Sequence, residues 1–144
     1  MTRFVILHHR LPPGGDRQSH WDLMIECEGE LLTWALDESP KLNSRISAIE
    51  LANHRLDYLQ YEGPVSGGRG DVRRVESGLC TILYRDGRQM LAELQGETLR
   101  CSVEISREAS VGNDAPNRSR TTSAASAGNQ RCTVSFMPAS NPPN

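Results

Sequence analysis

Histidine is scarce in this chain, and where it falls points to metal chemistry. The four imidazoles are His8, His9, His20 and His54, all in the N-terminal part. His20 opens the run His20-Trp21-Asp22-Leu23-Met24-Ile25-Glu26, in which one imidazole and two carboxylates alternate with apolar residues. On a β-strand, side chains two apart share a face, so His20, Asp22, Met24 and Glu26 point one way and Trp21, Leu23, Ile25 and Cys27 the other. The second row is a core face; the first is too polar to be buried without a purpose. An imidazole beside a carboxylate suits a divalent transition metal such as Mn²⁺, Fe²⁺ or Zn²⁺. Taken alone, His20 and Asp22 are more often a hydrogen-bonded pair at a strand edge, and it is the addition of His9 and His54 that favours a site. Alternation sends His8 opposite to His9 and makes it the weaker ligand. Glu26 reads as a solvated carboxylate, with support of a ligand histidine as its other role.

Strands must position these groups. Phe4-Val5-Ile6-Leu7 reads as a buried strand with His8 and His9 at its exit. Arg10 to Ser19, containing Pro12-Pro13-Gly14-Gly15-Asp16, is a loop that returns the chain to the His20 strand. Glu28-Gly29-Glu30 predicts a hairpin turn, with Leu31 to Leu36 as partner strand. From Asn43 to Asn53 helix and strand both stand, since Leu42, Ile46 and Ile49 fit a helical spacing while Arg45 to Leu51 fits a strand. His54 to Tyr61 leads into a Gly- and Pro-rich loop from Gly63 to Gly70 that carries Arg69. Val72–Val75, Leu79–Tyr84, Gln89–Leu94 and Thr98–Ile105 follow as short strands, joined by Glu76-Ser77-Gly78, Asp86-Gly87 and Gln95-Gly96. Short strands at this spacing predict a small barrel or sandwich. Arg107 to Gln130 is poor in large apolar residues and is expected to be disordered. Residues 131–137 restore a strand-like alternation expected to pair with the sheet and close the core, and 138–144 is a Pro-rich flexible tail.

The composition sets outer bounds. A chain of 144 residues is one domain of ordinary size, divided here into a core over 1–106 and the segments after it. Its net charge of -2 argues against sequence-blind attraction to nucleic acid, while a local basic cluster can still bind phosphate. Arg69, Arg73 and Arg74 are such a cluster, or simply charges on an exposed strand face. Cys27, Cys80, Cys101 and Cys132 form no CxxC pair and have no histidine at nucleophile spacing. They read as reduced cysteines of a cytoplasmic protein without a secretory signal. Trp21 and Trp34 read as core, packing across their hairpin.

In this order the residues have a family likeness. Arg3-Phe4-Val5-Ile6 followed by His9, then His20-Trp21-Asp22 with Glu26, Trp34-Ala35, His54-Arg55-Leu56-Asp57-Tyr58 and Glu62-Gly63 resemble the 3′-phosphoesterase domain of bacterial ligase D, found also in stand-alone proteins. The likeness covers roughly residues 3 to 105, and its ordered set of His, His-x-Asp and His-x-x-x-Tyr is a fairly specific signal. It implies a mainly β protein with little helix, a small antiparallel β-barrel with an active-site groove, and manganese-dependent phosphoesterase chemistry at DNA 3′ ends. By motif match His9, His20 and Asp22 would hold the metal, and His54 and Tyr58 would stand beside the scissile phosphate. The family pattern places an arginine two residues after the aspartate, where this chain has Met24. A thioether cannot make the bidentate, charge-assisted contact of a guanidinium. Arg55 and Arg69 are the candidates to hold phosphate in its place. The partners implied are DNA or RNA-tipped DNA 3′ ends and a DNA ligase or polymerase, with the chain itself a monomer. The competing reading is a non-catalytic module of the same fold that binds nucleic-acid ends or a repair partner.

Overall fold

The computed structural model describes residues 1–14, 18–109 and 130–139. Nine antiparallel strands run in chain order: β1 (Thr2–Arg10), β2 (His20–Cys27), β3 (Glu30–Leu36), β4 (Ser44–His54), β5 (Gly63–Pro64), β6 (Asp71–Arg85), β7 (Gln89–Gly96), β8 (Arg100–Arg107) and β9 (Gln130–Pro138). A single 3₁₀ turn, Leu56–Leu59, interrupts them, and the described residues contain no α-helix. The strands pair in the order β1-β2-β3-β4-β9-β8-β7-β6, and β6 pairs back to β1, so eight strands close a barrel with no free edge. Closure depends on β9, which lies between β4 and β8. No helix among the described residues is long and apolar enough to cross a membrane.

Two apolar layers explain the continuous hydrophobic runs of β1 and β2. Phe4, Ile6, Leu23 and Ile25 join Trp34, Ile46, Val103, Val134 and Phe136 inside the barrel. Val5, Leu7 and Met24 point outward, yet they too are buried, in a second cluster with Leu31, Leu59 and Val72. Leu56, Tyr58 and Val65 pack against that cluster, so the segment after β4 folds back over the outer wall. Strands covered on both faces lose the polar alternation of a half-exposed sheet.

Turn chemistry is local. Glu28 and Gly29 both take positive φ, 53° and 84°, the type I′ geometry that joins β2 to β3. Asp86 accepts hydrogen bonds from the backbone N–H groups of Arg88 and Gln89, at 2.7 and 2.9 Å, and so holds the β6–β7 turn. The stretch 43–53, open to two readings in sequence, is strand. Glu76-Ser77-Gly78 is not a turn, because β6 runs through it for 15 residues. Gly78 is there for proximity, since a Cβ would lie 2.0 Å from the backbone oxygen of Gln95 on β7. The buried Glu76 carboxylate accepts the N–H groups of Glu97, Thr98 and Leu99 and the Thr98 hydroxyl, tying β6 to the β7–β8 turn. Trp34 is interior, whereas Trp21 is half-buried and stacks on His8 of β1 at 4.4 Å. All four cysteines are free thiols, and burial pushes those of Cys80, Cys101 and Cys132 up to about 11, which keeps them inert. Of the stretch 107–130 expected to be disordered, Arg107 ends β8 and Gln130 starts β9, while 110–129 and the tail from 140 lie outside the described residues.

Candidate metal centre

His9 and His20 stand directly opposite each other in the β1–β2 ladder, next to the Leu7–Asp22 pair. His9 lies in the outward row with Val5 and Leu7, and His20 and Asp22 share the outward row of Met24, so all three side chains meet on one face. Their ligand atoms lie within 4.8 Å of one another. His9 Nδ1 is 3.6 Å from Asp22 Oδ2, and His20 Nε2 is 3.2 Å from Asp22 Oδ1. The three side chains are largely shielded from solvent, 14%, 9% and 6% exposed for His9, His20 and Asp22.

Backbone carbonyls orient both rings. His9 Nε2 lies 2.8 Å from the Arg69 carbonyl, and His20 Nδ1 lies 3.1 Å from the Gln18 carbonyl. A carbonyl only accepts, so each of these nitrogens carries the ring proton, and in the neutral ring the nitrogen turned to Asp22 presents a lone pair. Two lone pairs and a carboxylate then face a common point with no hydrogen to share. Consistent with this, Asp22 Oδ1 is buried and has no hydrogen-bond donor among the described residues. Burial pushes the Asp22 carboxyl up, but hydrogen bonds and charge from His20 and His9 in their protonated form outweigh that and hold it below the ordinary carboxylate range. An anionic carboxylate, two oriented imidazoles and an orphaned buried oxygen are what a divalent transition metal needs. The donor set fits such an ion.

The remaining expected site residues are placed differently. His54 ends β4 opposite Leu31, four residues along β3 from Ala35, the partner of Asp22; at ~3.4 Å per residue that is about 14 Å along the strand. His54 is therefore not among the converging ligands. Its Nδ1 lies 3.0 Å from the Ala52 carbonyl, and its ring meets Tyr58 edge-on at 5.4 Å. Arg55 is exposed at the start of the 3₁₀ turn. The Arg69 guanidinium donates to the Ser66 carbonyl at 2.8 Å and lies 3.3 Å from the Ser66 hydroxyl, so this residue reaches the centre through its backbone. Met24 is 1% exposed within the outer apolar cluster. Glu26 does not stand behind a histidine; its carboxylate, partly exposed, takes a two-pronged contact from the Arg3 guanidinium, both prongs at 2.8 Å. Burial pulls the pKa of His8, stacked on Trp21, down. The Gln18 and Arg69 carbonyls had no signal in the sequence, because a backbone group is chosen by fold and not by residue type.

The profile of the DNA Ligase D 3′-phosphoesterase domain matches residues 14–109 of the 144. The chain belongs to this family. His20, Asp22, Met24, His54 and Tyr58 fall inside the matched stretch, and His9 before it. The chain is 33% identical over 74 residues to the multifunctional non-homologous end joining DNA repair protein LigD of Mycobacterium tuberculosis, a match covering 50% of this chain and 9% of that protein. It is 33% identical over 69 residues to the multifunctional non-homologous end joining protein LigD of Pseudomonas aeruginosa, covering 44% and 8%. The aligned part is thus less than a tenth of either multifunctional relative.

Proposed function

We propose that this ligase D phosphoesterase-family chain is a metal-dependent phosphoesterase that processes 3′ ends of DNA, removing a 3′-phosphate or a terminal ribonucleotide during strand-break repair. The observation that carries the reading is the convergence of His9, His20 and Asp22 with the orphaned Asp22 oxygen between two carbonyl-oriented rings. Those three residues would hold the ion, with manganese the metal the family resemblance favours. When bound, it supplies Lewis acidity toward the phosphoester. His54, its Nδ1 fixed by the Ala52 carbonyl, would donate from Nε2 to the leaving oxygen when the ring is protonated. Tyr58, in contact with that ring, would donate its hydroxyl to a phosphoryl oxygen. Arg55 and Arg69 would supply the cation that Met24 does not, Arg69 by leaving Ser66. His54 and Tyr58 stand along the sheet from the ion's ligands, so both rings would have to turn toward the ion to touch the same phosphoester.

The burial of Met24 in an apolar cluster favours one second reading, a module of the same fold that binds nucleic-acid ends or a repair partner without turnover. Incubation with Mn²⁺ and a primer–template ending in a 3′-phosphate or one ribonucleotide separates the two. A shortened or dephosphorylated product, reduced in Arg55→Ala or Arg69→Ala, supports the enzyme. Tight end binding with no product at any metal concentration supports the module.

A further inference from the structure

The metal-capable trio does not stand alone on the outer wall. A groove of about 650 Å³ opens beside it, lined by His20, Ala35, Asp37, Ile49, Leu51 and Arg131 among others, a volume in the range of ligand-binding clefts. Register sets its floor. Asp22 faces Ala35 across β2–β3, Ala35 faces Ile49 across β3–β4, and Ile49 faces Arg131 across β4–β9. Directly opposed residues share a face, so these four form one row across four strands. That face is outward, because the alternate residues Trp34, Leu36, Ala48 and Cys132 fill the interior. Three inter-strand steps of ~4.8 Å place Arg131 about 14 Å from Asp22.

The row has a metal-capable carboxylate at one end, an uncharged floor and a cation at the other. Arg131 is exposed, and among the described residues its guanidinium makes no hydrogen bond or ion pair, unlike those of Arg3, Arg10, Arg69 and Arg107. Its carbonyl accepts from the Glu108 N–H at 2.9 Å, which fixes the start of β9 and hence where the side chain leaves the sheet. Asp37, the carboxylate lining the groove, follows Leu36, the partner of Trp21, and so sits at the His20 end, away from Arg131.

We propose that this groove is the track of a nucleic-acid strand whose 3′ end lies at the His9–His20–Asp22 centre, and that Arg131 binds a backbone phosphate upstream of that end. The inference rests on the 3′-end reading above and adds to it a strand polarity and a positioning residue. The axial rise of ~3.4 Å per stacked nucleotide is the least that successive phosphates can be apart, so a span of about 14 Å reaches at most the fourth phosphate from the end. A guanidinium forks onto phosphate, and the apolar floor of Ala35, Ile49 and Leu51 suits the faces of sugars and bases. Arg131 lies outside the stretch matched to the family, so the match assigns it nothing.

The test is binding, read apart from turnover. Fluorescence anisotropy with a 5′-labelled deoxydinucleotide and deoxyoctanucleotide, each ending in a non-hydrolysable 3′-phosphonate and each with Mn²⁺, compares the whole chain with Arg131→Ala, Arg131→Lys and Arg45→Ala. Arg45, exposed elsewhere on the outer face of β4, controls for loss of one charge. The intact protein should bind the octanucleotide more tightly than the dinucleotide. Arg131→Ala should remove most of that gain, by about tenfold, and lower the slope of log K against log salt by ~0.7, the value for one phosphate contact on a single strand. Arg131→Lys should recover part of the gain, and Arg45→Ala should match the parent. Length-dependent binding that survives Arg131→Ala overturns this inference and leaves the 3′-end reading standing. Failure of the parent to bind either oligonucleotide overturns both.

Discussion

Met24→Arg would restore the guanidinium of the family pattern, and the structure predicts that it costs stability without restoring function. Met24 is 1% exposed between Val5, Leu7, Leu31, Leu59 and Val72, none of which can receive a hydrogen bond through its side chain. Removing the thioether loses ~1.5 to 3 kcal/mol of apolar burial, and an ion taken out of water costs several kcal/mol more. One compensation exists. Asp22 lies two residues away on the same face, at ~7 Å, where attraction at an effective dielectric near 20 is worth about 2 kcal/mol. The net is a loss of about 3 to 5 kcal/mol, a large share of the ~5 to 15 kcal/mol that holds a domain folded. Met24→Leu keeps shape and polarity and should cost under ~1.5 kcal/mol. Urea denaturation of the two variants measures the difference directly, and 3′-end assays on the folded fraction should show no gain for Met24→Arg. An arginine variant as stable as the parent, with new 3′-end activity, would mean that Met24 lines an open phosphate pocket and not an apolar seal.

Two further outcomes follow from single groups. Asp22→Asn removes the anion while keeping the shape, so calorimetric titration with Mn²⁺ should show at least a tenfold weaker site, and thermal melting should no longer rise with added metal; unchanged affinity would place the ion elsewhere. Glu76→Gln leaves backbone N–H groups of the β7–β8 turn short of their charged acceptor, and chemical denaturation at neutral pH should record a loss of about 2 to 4 kcal/mol. Burial pushes the Glu76 carboxyl up, but the Thr98, Glu97 and Leu99 donors outweigh it, so the folded pKa lies below the ordinary value. The sign follows: the folded state binds the proton less readily, its advantage is complete above the unfolded pKa near ~4.3, and it fades as pH falls through the folded value. The stability gap between parent and Glu76→Gln should therefore narrow on acidification below pH ~4.

What the sequence could show was whatever period and residue type encode. The alternation of His20 to Cys27 placed Asp22 with His20 and Leu23 with Ile25, and the strands hold them so. What escaped was set by contacts distant in sequence. Glu76-Ser77-Gly78 has the composition of a turn, yet its glycine lets β7 approach and its carboxylate holds a turn some twenty residues ahead. Arg45 to Leu51 is strand because β3 and β9 flank it, and no local periodicity carries that information. The partner of Glu26 escaped for the same reason, since Arg3 comes from the preceding strand. Met24 looked like a hole in a polar row, and only the chain folding back through Leu59 makes it packing.

That same returning segment ties stability to the candidate centre, and Gly70 is where the tie can be cut. Gly70 takes φ +79°, and a Cβ there would stand 1.8 Å from the Arg10 carbonyl oxygen. Its carbonyl accepts the Val65 N–H at 2.8 Å, and the residue before it offers the carbonyl that fixes His9. Gly70→Ala must therefore push the loop away from the end of β1 and take the Arg69 carbonyl with it. His9 would then lose the contact that selects its tautomer, while the barrel interior, to which residues 63–70 contribute nothing, stays packed. The expected result is a metal affinity lower by ~10- to 100-fold, the range for losing one outer partner of a ligand histidine. The melting temperature without metal should fall modestly. Paired calorimetric and melting measurements distinguish the cases. Equal metal affinity in Gly70→Ala and the parent would show that His9 needs no help from this loop, and that the 63–70 segment serves the outer cluster alone.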